Sequence, residues 1–165
     1  MFERLRRGAA THRDTMELIK RAGVEARRLG APALEAEHLL LAMVDGPGAP
    51  ARVLSSLGLS RERITEALDR ELAAALARAD LHVAPLPRPR AVDHGGRLEW
   101  GESARRAAER SIGESPDHPG LRMLLAVVHA EGGVVPRLVR ELGLSVEDVE
   151  RAVARTSMGA PDSKW

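Results

Sequence analysis

The chain predicts an all-α protein: eight helices in two pseudo-symmetric four-helix repeats. Three observations predict it. The first is an internal repeat. The string Leu39-Leu40-Leu41-Ala42-Met43-Val44, a Gly/Pro break, and Arg52-Val53-Leu54-Ser55-Ser56-Leu57-Gly58-Leu59-Ser60 is restated further on. The copy reads Met123-Leu124-Leu125-Ala126-Val127-Val128, a Gly/Pro break, and Arg137-Leu138-Val139-Arg140-Glu141-Leu142-Gly143-Leu144-Ser145. A repeated unit sets the architecture before any single residue does. The second is composition. Apolar residues make up 44% but aromatics only 2%, so the core must be Leu, Val, Ala and Met, a mixture that favours helix over strand. The third is spacing, with apolar residues recurring every three or four positions between Gly and Pro breaks.

The elements follow in order. Residues 1–13 are basic and contain glycine, and are expected as an arm. Asp14 and Thr15 are candidate N-caps of a first helix, with Met16, Ile19, Ala22, Gly23 and Ala26 on one face and Gly30 past its end. Glu35 and Glu37 stand in or beside the first turn of the second helix, where negative charge suits the macrodipole. Residues 39–44 are apolar all round and are expected to be buried. A short third helix carries Val53, Leu54 and Leu57. Ser60 caps a fourth, whose buried face is read as Ile64, Ala67, Leu68, Leu72 and Leu76. Residues 79–99, with Pro85, Pro87, Pro89, Gly95 and Gly96, read as a linker. The second copy runs through helices at about 102–112, 121–130, 134–142 and from Ser145, an expected N-cap with Glu147 and Asp148 behind it. The organisation is therefore a double repeat over 1–156, with repeat one at about 14–78 and repeat two at about 100–156. A disordered tail is expected over 157–165.

Composition excludes several function classes. There is no cysteine, hence no disulfide or thiolate metal site. No apolar run approaches the roughly 20 residues that span a bilayer, no secretory leader is evident, and the cytoplasm is the expected compartment. Formal net charge is +1, which argues against a broad nucleic-acid footprint. No phosphate-binding glycine loop precedes Lys20 or Lys164, and no nucleophile elbow occurs. His12, His38, His82, His94, His118 and His129 lack metal-ligand spacing, and Asp93-His94 is an isolated pair. The expectation is no enzyme, no metal and no cofactor. The corner Leu57-Gly58-Leu59-Ser60 has the grammar of a DNA-binding helix-turn-helix, which leaves a DNA-binding regulator as the alternative reading. The acidic residues of the following helix argue against it.

Several of these residues carry a resemblance. Met1-Phe2-Glu3-Arg4 is similar to the start of actinobacterial ClpC. Glu25-Ala26-Arg27-Arg28-Leu29-Gly30 resembles the end of the first helix in the Clp N-terminal (Clp repeat) domain, and Glu37-His38-Leu39-Leu40-Leu41 resembles that family's Thr-Glu-His-Leu-Leu-Leu signature. The Leu-Gly-Leu-Ser corners fall where the family has Leu-Gly corners. The resemblance implies the substrate-receiving module of the ClpC and ClpA unfoldases, here free-standing, without the ATPase rings. It would then act as an adaptor, a competitor or a ligand-sequestering decoy. The implied partners are peptides or degradation substrates, including arginine-phosphorylated ones, together with a Clp unfoldase or its adaptors and cyclic-peptide antibiotics. No membrane or nucleic-acid partner is implied.

The resemblance also implies site residues. The family binds phosphoarginine at one position per repeat, through the glutamate of the signature. Glu37 matches that glutamate, although Ala36 replaces the threonine, and His12 falls near the family's phosphate-contacting threonine. In repeat two Leu121 stands at the glutamate position, so that site is expected to be lost. His38 is expected to pack beneath the turn. A second surface, for cyclic peptides, is implied at Phe2, Trp100, Arg105 and Glu109. The alternative for Phe2 and Trp100 is that they staple the two halves together.

Overall fold

The computed structural model describes residues 2–79, 98–112 and 118–159, with side chains from residue 12 to 158 among them. Its helices are α1 (Phe2–Arg28), α2 (Ala36–Val44), α3 (Ala49–Ser56), α4 (Arg61–Arg78), α5 (Glu102–Ser111), α6 (Pro119–Val128), α7 (Val135–Glu141) and α8 (Val146–Gly159). Two-residue strands, β1 (Ala33–Leu34) and β2 (Glu99–Trp100), pair in parallel. His82, Asp93, His94 and most of the expected linker lie outside the described residues.

The repeat is a repeat in space. Exchanging α1 with α5, α2 with α6, α3 with α7 and α4 with α8 carries most of the helix packing onto itself. The pair α1/α2 becomes α5/α6, α2/α3 becomes α6/α7, α2/α4 becomes α6/α8, and α1/α6 becomes α2/α5. The pair α3/α8 becomes α4/α7, so the third helix of each repeat packs on the fourth helix of the other. The apolar helices α2 and α6 cross at the centre, and Leu39, Leu40, Leu41, Met43, Ile64, Leu124 and Leu138 belong to one continuous core. Burying one such side chain contributes about 1.5–3 kcal/mol. Neither repeat surrounds its own central helix.

Local signals explain most boundaries. Gly58 and Gly143 hold equivalent left-handed positions (φ 69° and 78°) where α3 and α7 end, a conformation that costs glycine little. The hydroxyl of Ser60 accepts from the Arg63 N–H, and that of Ser145 from the Asp148 N–H. Asp148 in turn accepts from the Ser145 N–H at 2.8 Å and closes a capping box. Pro50 and Pro136 sit in the first turns of α3 and α7, where the missing N–H is not needed.

Three expectations need correction. α1 is already helical at Phe2 rather than starting near Asp14, so the expected arm is part of a 27-residue helix about 40 Å long. Its Ala, Arg, Leu and Met are strong helix formers, and polar Asp14 and Thr15 cost only a few tenths of a kcal/mol in a helix interior. Leu72 is not on a buried face but 60% exposed, whereas Ile64 and Ala67 are fully buried. The 18-residue α4 packs on the 7-residue α7 and runs past it. α8 continues to Gly159, into the start of the expected tail, and residues 160–165 lie outside the described residues. The β1/β2 ladder was not anticipated at all.

Candidate functional site

Two helix starts converge at the ladder, and each is capped by the other repeat. Glu35 is the N-cap of α2 and Gly101 that of α5. Glycine has no side chain to cap with. The Glu35 carboxylate supplies the cap instead, accepting from the Ser103 N–H at 3.1 Å and from the Ser103 hydroxyl. The same hydroxyl accepts from the Ala36 N–H at 2.9 Å and so caps α2. Ser103 is 7% exposed. A Cβ on Gly101 would lie 1.8 Å from Glu35 Oε1, so only glycine leaves room for this carboxylate.

His38 completes the turn. Its Nδ1 accepts from the Glu35 N–H at 2.9 Å, which places the ring proton on Nε2, and its own N–H donates to the Glu35 carbonyl. It is 3% exposed, as expected of a residue beneath the turn. Burial holds its pKa below the usual 6.5, against the opposing pull of the Glu35 and Glu25 carboxylates. The unfolded chain therefore binds this proton more readily than the folded one. The stability that His38 contributes is complete above about pH 6.5 and is lost as pH falls through its lower folded value. The stability of the parent protein to urea should fall with acid in that window. In His38→Asn, which keeps an acceptor but does not titrate, that share of the loss should vanish, and an unchanged profile would refute the assignment.

Glu37 occupies the next position of α2 and is half-buried. Among the described residues no side chain pairs with its carboxylate. Burial raises its pKa above 4.5. Its own backbone N–H opposes this, Glu35 adds to it, and Arg137 of α7 works against it. Arg137 is committed to Glu71 of α4 at 2.6 Å, and Glu71 also accepts from Arg78. Glu37 is thus a partly desolvated carboxylate with a cation nearby but none bound.

The other site residues fall into two groups. His12 is exposed on α1 and makes no hydrogen bond to α2 among the described residues. Leu121 is 2% exposed within the core and offers no carboxylate there. Trp100 is half-buried against the core, at the ladder. Arg105 donates to the Trp100 carbonyl at 3.2 Å and to Glu102 at 3.3 Å, and Glu109 lies one turn further along the exposed face of α5. The structure brings Trp100 and Arg105 together. Phe2 lies in the first turn of α1, and its side chain is outside those described. The capping pair Glu35 and Ser103 was missed because 68 residues separate the partners, and no local pattern announces such a bond.

The corner after α3 is a packing corner. Leu59 and Ile64 are buried, and Arg61, the first cation of α4, is turned inward onto Glu25 and Asp45. Glu62, Glu66 and Asp69 are exposed along α4, a poor surface for phosphates. Among the described residues no helix is long and apolar enough to cross a membrane, and no cluster of His, Asp or Glu could hold a metal ion.

The fold is an all-α double repeat, with a buried central helix in each half and a half-exposed carboxylate at the start of one of them. Residues 12–89 match the family described as the Clp repeat (R) N-terminal domain. Over those residues the match supports a relation to the N-domains of Clp unfoldases. The match takes in α2, Glu37 and the first corner, while the second repeat follows from the pseudo-symmetry. No curated protein matches the chain.

Proposed function

We propose that the chain is a non-catalytic receiver of peptides and degradation substrates. It would act beside a Clp protease as adaptor, competitor or ligand-sequestering decoy. The observation that carries this reading is Glu37, a half-buried carboxylate in the first turn of α2 with no side-chain partner among the described residues. A guanidinium donates two parallel N–H bonds to a carboxylate, so an arginine or phosphoarginine side chain suits it. A phosphoryl group on that guanidinium would meet favourable charge from the N-terminus of α2 and from Arg137. His12 is the candidate for contact with the phosphate. With Leu121 in the core, repeat two has no equivalent carboxylate, and one site per chain is the expectation. A separate surface for cyclic peptides is proposed at Trp100, Arg105 and Glu109, with Phe2 of α1.

Calorimetric titration of free phosphoarginine tests the reading. One site is expected, abolished by Glu37→Gln. That variant removes a buried charge without a bound partner, so it should be no less stable than the parent. No heat at millimolar ligand, or normal binding by Glu37→Gln, would sink the proposal. A marked loss of stability in Glu37→Gln would make Glu37 a structural residue instead.

A further inference from the structure

We infer that the outer edge of β2 is a strand-addition site, and that its occupant is an extended peptide carrying a carboxylate. The inference rests on reading the domain as a peptide receiver, but on none of the residues around Glu37.

The ladder geometry comes first. β1 and β2 are parallel, with Ala33 opposite Glu99 and Leu34 opposite Trp100. The Gly101 N–H donates to the Leu34 carbonyl at 2.8 Å. Along a strand successive residues direct their N–H and C=O to opposite sides. Since Leu34 bonds to the residues flanking Trp100, Trp100 turns its own N–H and C=O away from β1. Among the described elements β1 is the main neighbour of β2. Among the described residues the two-stranded sheet therefore ends on the backbone of Trp100. Such an edge is a template for another strand, because only an extended backbone offers a C=O and an N–H at the matching spacing.

The side chains supply the rest. Among the described residues the outward Trp100 carbonyl is held by one bond, from Arg105 Nη2 at 3.2 Å, and the Arg105 side chain is 57% exposed. One long exposed side chain is a weak guard, because holding it in place costs rotamer entropy. A peptide N–H can take its place on the oxygen. Arg105 is then released beside the incoming strand with only Glu102, at 3.3 Å, to share its charge. A carboxylate on the peptide gives the guanidinium a two-point partner. The half-buried Trp100 ring offers an apolar contact to a neighbouring peptide side chain. Glu109, one turn on, disfavours a second acid further along α5.

The test uses acetyl-Thr-Val-Glu-Val-Thr-amide and its single N-methyl variants on the full chain. Trp165→Phe is introduced so that fluorescence reports Trp100 alone. In the free protein the Trp100 amide should exchange rapidly with solvent, and saturating peptide should slow it at least tenfold. One N-methyl position should weaken binding tenfold or more while others do not. Replacing the peptide Glu by Gln should weaken binding several-fold in the parent, and the difference should disappear in Arg105→Gln. A Trp100 amide already protected without peptide, or no binding at millimolar peptide, overturns the inference. If the peptide binds but the N-methyl series is flat, the edge assignment falls while the receiver reading stands.

Discussion

Gly101→Ala is expected to destabilise the protein by about 2–3 kcal/mol, far more than one methyl group on a half-buried turn ordinarily costs. The added Cβ would fall 1.8 Å from Glu35 Oε1 and within 2.5 Å of the whole carboxylate. Glu35 is free to swing aside, but only by abandoning Ser103. That strips the cap from α5 and leaves a buried hydroxyl with the Ala36 N–H as its only partner. The cost is that of lost bonds to a charged acceptor, each worth about 1.5–3 kcal/mol. A double-mutant cycle measured by urea unfolding tests the cause. In a Glu35→Ala background the carboxylate is already gone, so Gly101→Ala should cost well under about 1 kcal/mol. If the two substitutions are additive, the clash is not with Glu35.

Arg61→Met should be at least as damaging, with an expected loss of about 3 kcal/mol. Arg61 stands at the first position of α4, yet its guanidinium turns inward. It donates two bonds of 2.9 Å to Glu25 of α1, another to Asp45 after α2, and a longer one to the Leu41 carbonyl. The side chains of Arg61 and Glu25 are 22% and 12% exposed, so the pair is largely withdrawn from water. The two carboxylates stabilise the charged form of Arg61 and raise its pKa, with Glu25 contributing most. Removing the cation leaves Glu25 and Asp45 facing each other across a partly dry joint between three helices. A paired control, Arg61→Met with Glu25→Gln, should recover much of the loss, because the stranded charge is the larger part of it. No recovery would locate the cost in packing of the arginine stem.

Most of the fold was legible in the residues. The two Leu-Gly-Leu-Ser corners announce the turns after α3 and α7, because left-handed backbone selects glycine and the next helix selects a serine cap. The apolar runs at 39–44 and 123–128 announce the two central helices, because a helix apolar on every side has to be buried. Periodicity cannot say where an apolar stripe stops being covered. Leu72 continues the stripe of Ile64 and Ala67 in sequence but is 60% exposed, although α7 pairs with Arg70 and Glu71 just before it. The start of α1 was misplaced for a related reason, since Asp14 and Thr15 are good caps that a helix can also run through.

The candidate site was legible only in part. The Glu37-His38 step marks the first turn of α2, and the burial of His38 follows from its place before Leu39. Ser103 sits in a stretch of Ala, Arg and Glu, and nothing near it in sequence indicates that it is buried and bonded to Glu35. The β1/β2 ladder is equally silent, because strands of two residues carry no period.

The crossed packing of α3 on α8 and of α4 on α7 has a consequence for how the chain acquires its structure. Each half holds a place that only the other can fill, as in two subunits that have exchanged a limb. The connecting segment makes that exchange intramolecular, and so independent of concentration. During synthesis, α3 has to wait with an unfilled flank until α8 has emerged. The slowest event should then be the docking of the two halves, since their contacts join the most distant parts of the chain.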